Sequence, residues 1–448
     1  MPFLIKLKKT KGAEMNERET LKINNLGRLE IGGVDATELV AQYGTPLYVM
    51  DQAHIENICL AYSNVLKNEY GDGMVAYASK AFSCKEIYRI INSLGLGADV
   101  VSGGELYTAM QVGFPTEKMI FHGNNKTERE LTEAIKNGVG LIVVDSYGEV
   151  ELLNEIAKNF NKNQSVLIRV NPGIEAHTHH YIQTAKVDSK FGFSLDTGEA
   201  MEIIKYVLTK ENITLKGLHC HIGSQIFEKK SFALAVDKMT TFYKNIKETL
   251  GYEFDVLNMG GGFGIWYSDG DAKTTVSDYA EYVKLIATEL KTAVANKGLK
   301  KPYLILEPGR SIVGEAGVTL YNAGNVKEIK GIKNYLSIDG GMFENPRFAL
   351  YQAKYTVKVA NRMNDEADTV YTIAGKCCES GDMIAEDCKL PKIKKGDVIA
   401  VLSTGAYNYS MASNYNRNLI PPVVMVKDGK SRYAVKPQTY EDLVRNDV

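Results

Sequence analysis

The chain reads as an α/β protein, a (β/α)8 barrel of the TIM type joined to a second, mainly β domain. Three observations predict this. From about residue 74, short β-branched runs alternate with amphipathic stretches of helical period. These runs number eight, the strand count that closes such a barrel. After Glu307 the texture changes to strand-like segments with turn signals and little helical period.

The strands in order are MVAYA (Met74–Ala78), ADVV (Ala98–Val101), KMIFH (Lys118–His122), LIVVD (Leu141–Asp145) and VLIRV (Val166–Val170), then LKGLHCH (Leu215–His221), FDVLNM (Phe254–Met259) and YLILE (Tyr303–Glu307). Helices fit between them at KEIYRIINSLG, GELYTAMQVG, Thr127–Asn137 and Tyr147–Phe160, with long ones after Ser231 and Ser277, and glycine ends several as a C-cap. Beyond the barrel, VTLYNAGNVKEIKG, NYLSIDGG, YTVKVANRM, DTVYTIAGK, DVIAVLSTG and VVMVKDGKSRYAV read as β-structure. Short β-like runs also occur in the first fifty residues. The expected organisation is therefore 1–50 as a segment contributing to the β domain, 51–308 as the barrel and 309–448 as the β domain.

Length and composition permit such a protein and exclude others. The chain has 448 residues, 44% hydrophobic and 24% charged, which is ordinary globular usage. Lys+Arg 53 against Asp+Glu 54 gives a net charge of -1. That offers no general attraction to nucleic acid or to an anionic membrane, and no apolar run is long enough to span a bilayer. The opening MPFLIKLKKTKG has a short apolar patch before a basic cluster, not a signal peptide, and reads as an extension ahead of Met15. The cysteines (Cys59, Cys84, Cys220, Cys377, Cys378 and Cys388) are scattered, which points to a reducing, cytoplasmic setting.

In a βα barrel the chemistry sits at the C-terminal ends of the strands. The first strand runs into Ser79 and Lys80, the sixth into His219, Cys220, His221, Gly223 and Ser224, the seventh into Gly260, Gly261, Gly262 and Gly264, and the eighth into Glu307, Pro308, Gly309 and Arg310. A lysine buried near the barrel axis becomes a neutral amine able to attack a carbonyl. The glycine run lets backbone N–H groups approach an anion, in loops where barrels commonly hold phosphate, and Ser224 adds a hydroxyl. Glu307 is costly to bury ionised unless a cation such as a protonated pyridine nitrogen meets it. Arg310 suits a substrate carboxylate, and His221 an aromatic cofactor ring. No metal is expected: His177, His179 and His180, the pair His219 and His221, and adjacent Cys377 and Cys378 lack ligand spacing.

Together the motifs resemble the diaminopimelate decarboxylases, fold type III pyridoxal-phosphate enzymes with the alanine racemase-like barrel. The residues that carry the resemblance are YASKAF around Lys80, DSKFGF (Asp188–Phe193), GLHCHIGSQI (Gly217–Ile226), NMGGGFGI (Asn258–Ile265), EPGRSIV (Glu307–Val313), NPRFALY (Asn345–Tyr351), CESGD (Cys378–Asp382) and GAY (Gly405–Tyr407). The resemblance implies that Lys80 holds pyridoxal 5'-phosphate as a Schiff base, His221 stacks on its ring and Glu307 pairs with the ring nitrogen. It places the phosphate among Ser224, Gly261, Gly262, Gly264 and Tyr407, beside Gly309 and Arg310. Arg310, Arg347 and Tyr351 hold the non-reacting carboxylate of the substrate, with Tyr407 adjacent, and Glu379 holds its amine. Cys378 is the implied proton donor, and Cys378 and Glu379 reach the site from the partner in a homodimer.

The implied reaction is decarboxylation of meso-2,6-diaminopimelate to L-lysine and carbon dioxide, the last step of lysine biosynthesis. Its rivals are another basic amino-acid decarboxylase on this scaffold, acting on ornithine, arginine or carboxynorspermidine, and a non-catalytic regulatory homologue. CESGD and the EPGR arginine argue against the first, the joint presence of Lys80, Glu307 and Cys378 against the second. Phe343, Glu344, Phe348, Lys376 and Cys377 depart from the commonest family pattern, and Cys377 adds a second thiol expected to make the site prone to oxidation.

Overall fold

The computed structural model describes residues 21–174, 189–268, 271 and 274–448. The chain forms two compact units, one built from residues 56–266 and 272–314, the other from residues up to 55, 267–271 and 315 onward.

The first unit is the barrel. Its strands are β1 (Gly73–Ala78), β2 (Gly97–Val100), β3 (Met119–Phe121), β4 (Leu141–Val144), β5 (Gln164–Asn171), β6 (Ile213–His219), β7 (Val256–Asn258) and β8 (Tyr303–Leu306). Each pairs in parallel with the next, and β8 returns to β1 with Leu304 opposite Gly73 and Leu306 opposite Val75, closing the ring. Phe193–Ser194 adds a parallel pairing to the end of β5.

Side chains alternate across a strand, so every second residue faces the same way. Ala76, Ile120, Val143, Leu167 and Ile305, at most 1% exposed, form one apolar cluster, with Met74, Leu141 and Val256 packed against it. The barrel centre is thus filled rather than open. Serine and threonine N-caps start the intervening helices: Ser102, Thr127, Ser146 and Thr275 each accept a backbone N–H of the first turn, a bond worth about 1 kcal/mol apiece. A further helix not read from the sequence, Glu199–Val207, follows Gly198 in left-handed backbone.

In the second unit, a mixed sheet runs in the order Met383–Leu390, Thr369–Ala374, Lys333–Ile338, Gly317–Ile329, Leu47–Asp51, Val423–Lys427 and Lys430–Val435. Leu47–Asp51 lies antiparallel to Gly317–Ile329 and parallel to Val423–Lys427. Val398–Leu402 pairs with Gly317–Ile329 and with Val357–Val359. Leu29, Ile31, Leu47, Val49, Val318, Leu320, Ala400 and Val424 build its core.

One buried carboxyl in this unit titrates unusually. Glu344 accepts from the Tyr321 hydroxyl at 2.7 Å and the Gly341 amide at 3.1 Å, while its second oxygen is buried with no partner among the described residues. Burial pushes it up to about 8, with Asp382 adding repulsion and the hydrogen bonds opposing. A raised carboxyl is held protonated by the folded chain after the unfolded chain has released its proton. Its stabilising share is complete below pH 4.5 and lost as pH rises through about 8. The melting temperature is expected to fall across that interval, and Glu344→Gln, which keeps the shape without the titration, is expected to flatten the fall. Equal slopes for both proteins in thermal melts would contradict this.

Candidate active site

The period of two that fills the barrel also aims its chemistry. Two residues beyond Ile120, Val143, Leu167, Val256 and Ile305 stand His122, Asp145, Arg169, Asn258 and Glu307, on the same inward face. Likewise Gly97 precedes Asp99, Gly217 precedes His219, and Ala76 and Ala78 precede Lys80.

Glu307 is the hub. Its Oε1 accepts from His122 Nε2 at 2.7 Å and Asn258 Nδ2 at 2.6 Å, and its Oε2 lies 3.2 Å from His219 Nε2. Burial alone would push this carboxyl up, but His122 and His219 overcome it and hold Glu307 well below the ordinary carboxylate range. Burial drives the His219 imidazole down to about 3, with Glu307 pulling the other way. At neutral pH the arrangement is an ionised carboxylate fed by a neutral His219. The ligand atoms of His122, His219 and Glu307 lie within 4.8 Å of one another, a closeness these hydrogen bonds account for.

Lys80 lies on a short turn, Ser79–Ala81, directly after β1. Its Nζ is 3.8 Å from Asp99 Oδ2, and Asp99 Oδ1 is 4.0 Å from His122 Nε2. A chain of charged and polar groups therefore links the amine to Glu307 across adjacent strands. The expectation of a buried amine is corrected: the Lys80 side chain is 42% exposed, because it extends past the last apolar layer to the mouth of the barrel. Asp99 is buried, and burial raises its carboxyl against the pull of His122 and Lys80.

The loops after β6 and β7 meet through a bridge between Ile226 and Phe263. Here glycine meets a second need besides the one expected. A Cβ on Gly261 would stand 2.1 Å from the Glu307 carbonyl oxygen, and one on Gly262, at φ +105°, 2.1 Å from that of Gly223. Glycine is needed for the loops to pack against each other, and this packing brings the glycine loop beside the loop that carries Ser224. Gly264 lies against the Phe227 ring, and Gly309 against Ala78 and Ala81. Ser224 Oγ accepts from Arg310 Nη2 at 2.9 Å and Nε at 3.3 Å, leaving the serine proton for an anion. His221 Nδ1 accepts from the Gly261 amide at 3.4 Å, and burial with the nearby Lys80 charge holds its imidazole well below the ordinary value. It is a neutral, flat group at the mouth.

The structure thus brings Lys80, His221, Ser224, Gly261, Gly262, Gly264, Glu307, Gly309 and Arg310 together in the barrel unit. The other sequence-derived residues belong to the second unit. Arg347 is buried, donates to the Tyr355 hydroxyl at 2.8 Å and stacks over the Tyr267 ring at 4.9 Å. Tyr351 ends the helix Arg347–Tyr351, and Tyr407 caps Asn408–Met411 in left-handed backbone. Cys378 is exposed, its amide donating to Asn416 Oδ1 at 2.8 Å, and Glu379 accepts from Gly381 at 3.3 Å. Cys377 is not primed for oxidation as expected: burial and Asp382 push its thiol up to about 11, away from the reactive thiolate. His177, His179, His180 and Asp188 lie outside the described residues.

Asp99, His122, Arg169 and Asn258 were not singled out from sequence. The strand-end rule that found Lys80 and Glu307 also reaches His122 and Asn258, whereas Asp99 and Arg169 stand before the last residue of their strands and need the two-residue period. The donor set fits pyridoxal phosphate: an amine, an ionised buried carboxylate with an unfilled lone-pair position on Oε2 for a ring N–H, an Arg310–Ser224 pair beside the glycine loop for phosphate, and a flat imidazole.

Comparison with known proteins agrees. A family model described as the pyridoxal-binding domain of pyridoxal-dependent decarboxylases matches residues 53–314. A diaminopimelate decarboxylase from Halalkalibacterium halodurans is 48% identical over 96% of this chain and 97% of its own, and one from Bacillus subtilis 47% identical over the same shares. The crystal structure of diaminopimelate decarboxylase from M. jannaschii superposes with a TM-score of 0.88 at 37% identity, covering 97% of this chain and 98% of that one. With its barrel, its strand-end residues and these relatives in agreement, the chain belongs to the diaminopimelate decarboxylase family of pyridoxal-dependent decarboxylases.

Proposed function

We propose that this chain decarboxylates meso-2,6-diaminopimelate to L-lysine and carbon dioxide with pyridoxal phosphate, closing lysine biosynthesis. The observation that carries the reading is the joint placement of Lys80, Glu307 and the Arg310–Ser224 pair at one barrel mouth. In support of the substrate, curated relatives are named diaminopimelate decarboxylases, and a crystal structure of the M. jannaschii enzyme is a complex with L-lysine.

When bound, the cofactor supplies an electron sink for the pair left behind as carbon dioxide departs. The protein's part is binding, orientation and proton handling. The Lys80 amine anchors the cofactor, Glu307 accepts the proton-bearing ring nitrogen, and His221 covers the ring face. Ser224, the amides of Gly261, Gly262 and Gly264, Gly309, Arg310 and Tyr407 hold the phosphate. Arg310, Arg347, Tyr351 and Tyr407 fix the distal carboxylate, each charge-assisted contact contributing about 1.5–3 kcal/mol. Glu379 takes the distal amine, and the Cys378 thiol returns the proton, a step worth roughly a hundred- to ten-thousandfold.

The proposed assembly is a homodimer in which Cys378 and Glu379 serve the partner's barrel. Six unpaired thiols accord with a cytoplasmic setting, and among the described residues no helix is long and apolar enough to cross a membrane.

Carbon dioxide release from meso-diaminopimelate, ornithine, arginine and lysine, assayed side by side, tests the reading. Diaminopimelate is expected to be the fastest, and faster turnover of ornithine would overturn it. For the shared site, Lys80→Ala and Cys378→Ala protomers are each expected to be inactive alone. Mixed, they should regain part of the activity in hybrids, and a mixture as inactive as either parent argues for sites complete within one chain.

A further inference from the structure

The two oxygens of Glu307 are held differently. Oε1 is crowded by two donors, His122 Nε2 and Asn258 Nδ2, and Asn258 is itself fixed by the Gly260 amide at 2.9 Å. Oε2 faces His219 Nε2 alone among the described residues. An ionised carboxylate offers about four lone-pair positions. Three are filled, and the one left lies on the oxygen that His219 holds.

His219 is shaped for this one task. It is 1% exposed, its ring lies edge-on to that of His122 at 4.7 Å between centroids, and its Nδ1 is buried with no hydrogen-bond partner among the described residues. A neutral imidazole with a bare Nδ1 carries its proton on Nε2 and donates it to Oε2. Arg169, Asp99 and Lys80 supply the remaining charges around the carboxylate. We propose that His219 is a positioning residue that keeps Glu307 Oε2 oriented and unprotonated as the acceptor for the ring nitrogen of the cofactor. This rests on the proposed use of pyridoxal phosphate at this mouth, and adds a specific donor that governs where the ring proton resides.

The test uses holoenzyme loaded with cofactor labelled at the ring nitrogen and reads its nitrogen NMR signal beside steady-state kinetics. His219→Leu and His219→Phe remove the donor, and whichever folds is used. His219→Gln places an amide N–H where Nε2 stands. Without the donor, the ring signal is expected to move toward that of an unprotonated pyridine, and kcat to fall roughly ten- to a hundredfold with KM nearly unchanged. The Gln variant is expected to restore the protonated signal and most of kcat. A wild-type ring signal in the Leu or Phe holoenzyme overturns the proposal, as does failure of Gln to restore it. If the wild-type enzyme prefers another amino acid while these signals behave as described, the substrate reading fails and the role of His219 stands.

Discussion

Lys80→Ala protein is expected to fold, to take up pyridoxal phosphate without a covalent link, and to lose decarboxylation by at least about ten-thousandfold. Folding survives because the side chain is partly open at the mouth and its ion partner Asp99 stands 3.8 Å away. Burial already raises the Asp99 carboxyl, and Lys80 is one of the groups pulling it down, so its loss lets Asp99 take a proton instead of remaining a bare buried charge. Borohydride treatment followed by peptide mass analysis checks the covalent role. The wild-type peptide carrying Lys80 is expected to gain the reduced cofactor, and the variant to gain nothing. Cofactor fixed to a different lysine would remove the central residue of the site.

Glu307→Gln carries the second large effect. The amide keeps the volume but removes the negative charge and turns one acceptor into a donor. His122, Asn258 and His219 then compete for a single carbonyl oxygen. His219 relieves one clash by moving its proton to Nδ1, which buries an N–H without a partner at a cost of about 1–3 kcal/mol. The variant is expected to melt lower than wild type and to lose roughly a hundred- to a thousandfold in kcat, since a fixed charge facing the developing electron density is gone. Steady-state kinetics with matched thermal melts separate the two consequences. Activity within tenfold of wild type, with cofactor bound, would mean that the ring nitrogen does not depend on this carboxylate.

Much of this architecture is legible in the sequence. All eight barrel strands were found, because β-branched runs between helical periods leave little ambiguity when the pattern repeats. Strand Met383–Leu390 was not found: MIAEDCKL mixes acidic and basic residues with one β-branched side chain, and sheet pairing with Thr369–Ala374 sets its conformation. Helix Glu199–Val207 was not found, although it is as long as Lys85–Ser93; Gly198 gives it no side-chain N-cap to mark its start.

In the site, Lys80 and Glu307 were legible as polar residues ending apolar strands. His122 and Asp145 ended runs written out in full, yet were passed over because no motif marked them. Arg169 was hidden inside VLIRV, where a charge reads as the solvent side of a strand. Only counting in twos from the apolar layer shows that it faces inward. The glycine run was legible as an anion-facing loop, but its close approach to the carbonyls of Glu307 and Gly223 was not, since a contact between loops cannot be read from one segment alone. The depth of Lys80 was also misjudged, because sequence locates a strand end but not how far a long side chain extends beyond it.

The seam where β8 docks on β1 sets the order of events during synthesis. The Lys80 amine and its ion partner Asp99 emerge early, and Glu307 only after nearly the whole barrel has left the ribosome. The full set of barrel residues at the mouth, Glu307 included, is therefore complete only once that final strand arrives and long-range contacts close the ring. A chain that stops short of the last strand lacks Glu307 and is left with an unpaired sheet edge, open to pairing with another chain.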